Sequence, residues 1–148
     1  MLGAGCLRIR TRGVNMIKSY EDLTVWKEAY ALVLTIYKLT QKFPSTELYG
    51  LTSQLRRASV SIVANIAEGK GKQYRKEFIH FLFISKGSLE ETKVYLKLAK
   101  DFSYITQEEF NELESRYNKI GKMLSALINS LKNNEVNNAS TQHLEPRT

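Results

Sequence analysis

The chain has 148 residues, with 22 lysines and arginines against 15 aspartates and glutamates, a formal net charge of +7, 43% hydrophobic residues, two prolines and one cysteine. This is the length of a single domain that buries roughly two thirds of its unfolded surface without a metal or disulfide staple. The lone Cys6 excludes an internal disulfide framework, no run approaches the roughly 18 apolar residues of a membrane span, and the shortage of proline and tight-turn pairs argues against an all-β chain.

Residues 1–18 carry Arg8, Arg10 and Arg12 among apolar residues but lack the continuous apolar stretch of a secretory signal. They read as a flexible N-terminal arm or as a product of start-codon choice, and the expected location is the cytoplasm. The regular pattern begins near Met16. Residues 19–132 form the predicted domain, and residues 133–148, rich in Asn, Ser and Thr, form a predicted disordered tail.

Four helical segments follow. From about Thr24 to Lys42, Val25, Ala29, Leu32, Val33, Ile36, Leu39 and Phe43 recur at three- and four-residue steps, and Phe43-Pro44 ends the helix. Trp26, Tyr30, Leu34 and Tyr37 form an adjoining stripe, so the apolar arc spans roughly 200° of the circumference. The second helix runs from about Tyr49 to Glu68 on Leu51, Leu55, Ala58, Ile62 and Ile66, with Gly69 expected as a left-handed cap. The third begins near Gln73 or Tyr74 and reaches Lys100. Its run from Phe78 to Ile84 is apolar nearly all the way round, and Gly87-Ser88 in its middle predicts close approach of a neighbouring helix. Thr106-Gln107-Glu108-Glu109 is a capping box that opens the fourth helix, with Phe110, Leu113, Tyr117, Ile120, Leu124, Leu127, Ile128 and Leu131 on one stripe.

Short connections between four amphipathic helices predict an all-α, antiparallel up-down-up-down four-helix bundle. The first and third helices have more apolar circumference than one protomer covers, and a second copy of the chain is the simplest partner for that surface.

The run Tyr49-Gly50-Leu51-Thr52-Ser53-Gln54-Leu55-Arg56-Arg57-Ala58-Ser59-Val60-Ser61-Ile62, followed by Asn65-Ile66-Ala67-Glu68-Gly69, resembles the bacterial four-helix-bundle proteins encoded in intervening sequences of large-subunit (23S) ribosomal RNA genes. Asp22-Leu23 with Val25-Trp26, Phe43-Pro44 with Glu47, and Phe81-Leu82 with Gly87-Ser88 and Glu91 also fit, so the resemblance covers about Tyr20 to Leu131. It implies a ring-like homopentamer and no enzymatic activity. Relatives of that family include the accessory protein of diversity-generating retroelements, which implies a reverse-transcriptase-like or ribosomal-RNA-associated partner. Members commonly carry proline before the position of Asn65; Ser61-Ile62-Val63-Ala64 has none, so no kink is expected in the second helix.

Lys70, Lys72, Arg75 and Lys76 crowd into seven residues, with Tyr74 among them as a stacking platform, and Arg56 and Arg57 lie upstream on the second helix. Cations with an aromatic partner suit RNA or DNA phosphates and bases. The alternative is a solvated loop, with the two arginines pairing to Glu68, Glu91 or a neighbouring subunit. Asn65 and Glu68 share a helical face and are expected to satisfy each other or nearby groups in a packed interface. Trp26, Tyr30, Tyr37, Phe81, Gly87, Ser88 and Glu91 are read as structural or interface residues. Glu77-x-x-His80 has the spacing of a di-metal half-site, but the other histidine is His143 in the tail, so neither a metal nor another cofactor is expected. No nucleophile triad or nucleotide loop is present, since Gly69-x-Gly71 follows a helix and lacks the third glycine. The sequence therefore predicts a non-enzymatic, oligomeric, nucleic-acid-associated protein; the alternative is a self-assembling scaffold whose ligand is another protein, with the basic loop incidental and the acidic stretch from Glu108 to Glu114 an equal candidate for the contact surface.

Overall fold

A computed structural model of the chain describes residues 19–141. Four helices, α1 (Thr24–Thr40), α2 (Leu51–Lys70), α3 (Arg75–Asp101) and α4 (Gln107–Thr141), are preceded by a 3₁₀ turn at Tyr20–Asp22, and a second such turn, Ser45–Glu47, joins α1 to α2. The described residues contain no strand. Each helix packs on its neighbour in chain order and α1 also touches α4, so α1 and α3 are diagonal in an antiparallel four-helix bundle. The N-terminal arm lies outside the described residues.

The helix ends follow from local chemistry. Ser19 and Asp22 form a reciprocal capping box around the first turn. α1 stops at Thr40, slightly before the expected Lys42, and the chain tightens through i to i+3 bonds at residues 41–43 as it meets Pro44. Glu47 then reaches forward, its Oε2 accepting the Leu51 N–H at 2.8 Å, so a side chain outside the helix satisfies one of the free donors of α2. At the far end of α3, Ser103 takes a left-handed φ of 61°; the Tyr104 N–H donates to the Ala99 carbonyl at 2.8 Å and the Ser103 N–H to Lys100 at 2.9 Å. This is the Schellman closure, built on a serine instead of the usual glycine. α4 opens on the expected capping box: the Glu109 N–H donates to Thr106 Oγ1 at 3.1 Å, and the Thr106 N–H to Glu109 Oε1 at 3.0 Å. Its other end corrects an expectation. The helix does not give way at 133 but continues to Thr141, because no Gly or Pro interrupts 133–141 and extending a formed helix costs little.

The core is aliphatic: Leu32, Ile36, Leu55, Ile62, Leu82, Leu96 and Leu124 are almost fully buried. α2 runs unbroken past Ser61-Ile62-Val63-Ala64 and makes the closest pairing, with α3. Small residues allow it. Ser59 and Ser85 are buried between the two helices, and Ser85 Oγ donates to the Ile62 carbonyl at 2.8 Å.

Gly69 has a different role from the one expected. No described glycine has a positive φ, and Gly69 lies inside α2, which ends at Lys70 with Gly71 after it. A Cβ on Gly69 would stand 2.7 Å from the Phe81 Cβ and 2.9 Å from Phe78 Cδ2. The glycine is there so that α2 can touch α3. Gly87, expected to fill that role, has nothing within 4 Å of where a Cβ would stand. Within the protomer it faces outward, and the close approach falls on Ser85, two residues earlier.

The apolar excess of α1 and α3 stays on the surface. Tyr30, Leu34 and Tyr37 of α1 are 45%, 58% and 42% exposed, and the Trp26 ring stacks on Tyr30 at 4.8 Å. On α3, Phe83, Ile84, Val94 and Leu98 are exposed. The run from Phe78 to Ile84 is thus buried at Phe78, Ile79 and Leu82 and open to solvent at His80, Phe83 and Ile84.

Candidate nucleic-acid interface

The turn between α2 and α3 gathers four cations at one end of the bundle. Lys70 closes α2, Lys72 stands in the turn, Tyr74 caps α3 with extended backbone, and Arg75 and Lys76 open α3. Contact at Gly69 sets the geometry, because it brings the end of α2 onto Phe78 and Phe81 in the first turns of α3. Those two rings then carry the lysines: Lys70 Nζ lies 6.0 Å from the Phe78 ring centre and Lys72 Nζ 5.4 Å from that of Phe81. Each ammonium group thus lies near an aromatic face, which attracts the charge without neutralising it, and remains available to anions. Among the described residues, none of Lys70, Lys72, Arg75 and Lys76 joins an ion pair; the pairs formed are Lys42–Glu109, Lys93–Glu90, Lys100–Asp101 and Lys119–Glu28. Tyr74 is 64% exposed, and its side chain makes no capping bond to the first N–H groups of α3, so the positive end of that helix opens into the same turn.

The structure divides the arginine pair. Arg56 Nε donates to Thr40 Oγ1 at 2.8 Å, its Nη2 donates to the Tyr37 carbonyl at 3.4 Å, and the guanidinium lies 4.7 Å from the Tyr37 ring centre. It ties α2 to the end of α1, through a hydroxyl, a carbonyl and a ring rather than the expected carboxylate. Arg57 is exposed and unpaired among the described residues. At 1.5 Å per residue, both sit about 20 Å along α2 from Lys70, so the basic residues form two separate groups.

Asn65 does not bond to Glu68. Its Nδ2 donates to the Ser61 carbonyl at 2.7 Å and lies 3.0 Å from Ser61 Oγ, which in turn is 2.8 Å from Ser88 Oγ across the helix pair. A ladder of hydroxyls and one amide therefore fastens α2 to α3. Glu68 and Glu91 are exposed and take part in no ion pair among the described residues. Glu77 and His80 are also exposed, His80 edge-on to Phe81, and no three His, Cys, Asp or Glu side chains converge among the described residues.

The Lys42 ammonium and the Thr106 N–H hold the Glu109 carboxyl below its usual range at the opposite end of the bundle. There too Tyr104 is raised, by partial burial first and then by its hydrogen bond to Glu47. Burial raises Tyr117, whose hydroxyl is enclosed by the core and has no hydrogen-bond partner among the described residues.

Sequence reasoning passed over Phe83, Lys86 and Lys132. The Phe83 ring, 47% exposed, has Lys132 Nζ of α4 5.0 Å and Lys86 Nζ 5.9 Å from its centre. An aromatic followed three residues later by lysine was the available signal, but the second cation comes from another helix. No helix among the described residues is long and apolar enough to cross a membrane.

The model of the family described as 23S rRNA-intervening sequence protein matches residues 21–126. Among solved structures, the chain is similar to a crystal structure of a protein of unknown function from the S23 ribosomal protein family of Bacteroides thetaiotaomicron. The identity is 27%, the match covers 71% of this chain and 95% of that one, and the TM-score is 0.66. No curated protein matches.

Proposed function

Because the chain belongs to the 23S rRNA-intervening sequence protein family, we propose that it is a non-enzymatic, self-associating cytoplasmic bundle that binds RNA or DNA through the cationic turn between α2 and α3. One observation carries this reading: four cations within seven residues sit at a single end of the bundle, two of them seated on aromatic rings, and none is neutralised by a described carboxylate. Cations held in place without an internal partner are the arrangement that phosphate recognition needs.

Self-association rests on the stripe of Trp26, Tyr30, Leu34 and Tyr37 and on the separate patch of Ile84 and Leu98 on the diagonal helix. Two unlike patches on opposite sides of a protomer suit a head-to-tail contact, which closes into a ring when the rotation allows. A ring repeats the basic turn on every subunit and multiplies a modest affinity. The test replaces Lys70, Lys72, Arg75 and Lys76 by Glu. Binding to a mixed RNA and DNA pool at low salt should be abolished with helicity unchanged by circular dichroism, and unchanged affinity overturns the site.

The exposed α1 stripe also supports a second reading, a scaffold whose ligand is another protein. That scaffold would retain its partner after the same four substitutions and at high salt.

A further inference from the structure

The groove between α3 and α4 lies apart from the α2–α3 turn and has a volume of about 650 Å³. Leu89, Gly121 and Ala126 lie along it with Lys86, Lys93 and Lys122. Its one carboxylate, Glu90, is held by Lys93 at 3.6 Å, while Lys86 and Lys122 form no ion pair among the described residues. Lys86 belongs both to this groove and to the Phe83 platform, over which Lys132 of α4 also reaches. The platform is in turn continuous with the basic turn: Lys76 and Phe83 are seven residues apart on α3, hence on one face with about 10 Å of rise between them.

We propose that this groove and the Phe83 ring form a subsite for single-stranded nucleic acid, in which one unpaired base stacks on Phe83 and the phosphates beside it follow Lys132, Lys86 and Lys122. The inference rests on the nucleic-acid reading above and adds to it a strand state and a stacking residue. Three features select this occupant. The Phe83 ring is half exposed with two lysine ammonium groups over it, and a base that displaces an ammonium group from the ring face leaves that charge beside its own flanking phosphates. A base inside a duplex has no free face to stack, so the ring favours unpaired strands. An acidic peptide would engage the lysines but leave the ring without a partner.

The experiment measures binding of labelled oligonucleotides of about 12 nucleotides, within the site sizes of single-strand-binding folds, as RNA, as DNA and as duplex, across a salt series. Removing one stacked base weakens binding roughly 5- to 150-fold. Phe83→Ala should therefore lose that much affinity for the single strands with an unaltered salt slope, Phe83→Tyr should restore it, and duplex affinity should not move. Lys86→Gln with Lys122→Gln should reduce the magnitude of the salt slope by about 0.7 for each charge removed. Phe83 and both lysines are surface groups, and circular dichroism verifies that the variants fold.

If wild type binds and loses binding on reversal of Lys70, Lys72, Arg75 and Lys76, yet Phe83→Ala leaves single-strand affinity unchanged, the subsite is wrong and the turn stands. Equal losses for duplex and single strand would also overturn the stacking role. If wild type binds no nucleic acid but captures a polyglutamate peptide in a Lys86- and Lys122-dependent way, the groove recognises acidic protein, and both readings fail.

Discussion

Gly69→Ala is expected to destabilise the bundle, against the ordinary preference of a helix for alanine. Within a helix, Gly to Ala stabilises by about 0.5–1 kcal/mol. The added methyl, however, would stand 2.7 Å from the Phe81 Cβ, an atom fixed to the backbone of α3, as well as 2.9 Å from Phe78 Cδ2 and 3.3 Å from the Phe78 carbonyl oxygen. The Phe78 ring can turn away but the Phe81 Cβ cannot, so the helices must separate at their closest point. Overpacking of this kind costs about 1–3 kcal/mol. The net loss is centred near 1 kcal/mol and reaches about 2.5 kcal/mol, which lowers the melting midpoint by roughly 4–10 °C for a domain of this size. Gly87→Ala is the internal comparison: with nothing within 4 Å it keeps the propensity gain and should stabilise by about 0.5–1 kcal/mol. Gly69→Asn separates the two possible roles of the glycine. A left-handed cap tolerates Asn, whereas a packed contact suffers more from Asn than from Ala. Thermal and urea unfolding of the three variants provide the measurement. A Gly69→Ala protein as stable as wild type or more so, or an Asn variant milder than the Ala variant, refutes the close-contact argument.

Other perturbations are expected to act locally. Tyr117→Phe should stabilise by about 1 kcal/mol by removing a buried hydroxyl without a partner. Because the folded protein raises the Tyr117 pKa above its ordinary 10.0, wild type should lose stability as pH rises past that value, and urea midpoints should show the Phe variant spared that part of the loss. Glu109 is the opposite case: its lowered pKa contributes stability above about pH 4.5 that fades as pH falls through the folded value, and Lys42→Met should flatten that acid limb. With the pair partly exposed, the effect stays below about 1 kcal/mol. Ser103→Gly should gain about 1 kcal/mol in the same assay, since glycine carries no penalty at a φ of 61°. Arg56→Lys should lower stability by about 1 kcal/mol through loss of the bonds to Thr40 and Tyr37, yet leave affinity for nucleic acid unchanged.

Features encoded within a few residues were legible in the sequence. The apolar spacing of Val25 to Ile36, the Phe43-Pro44 stop and the Thr106 to Glu109 capping box each act through neighbours no more than four positions away, and the structure shows each of them. The cluster from Lys70 to Lys76 was visible for the same reason. What escaped depends on a second helix. A glycine near a helix end reads as a cap by default, and only the placement of Phe78 and Phe81 reveals Gly69 as a contact. Arg56 and Arg57 are adjacent in sequence, but 100° of helix rotation sends one to α1 and the other to solvent. Asn65 bonds back to Ser61 four residues earlier, and Ser61 in turn meets Ser88 of α3, a link across helices that no pattern within α2 discloses. Phe83 gathers its cations from two helices whose pairing is a tertiary fact.

The most direct test of the nucleic-acid reading is a salt titration of the intact protein with single-stranded RNA, plotting the logarithm of the association constant against that of the salt concentration. Four cations at the α2–α3 turn, each displacing about 0.7 of a counterion per phosphate, give a slope of at least about −3, with the groove lysines adding to it. Reversing Lys70, Lys72, Arg75 and Lys76 should abolish binding. Absence of binding at low salt, or an affinity indifferent to salt, would contradict the account.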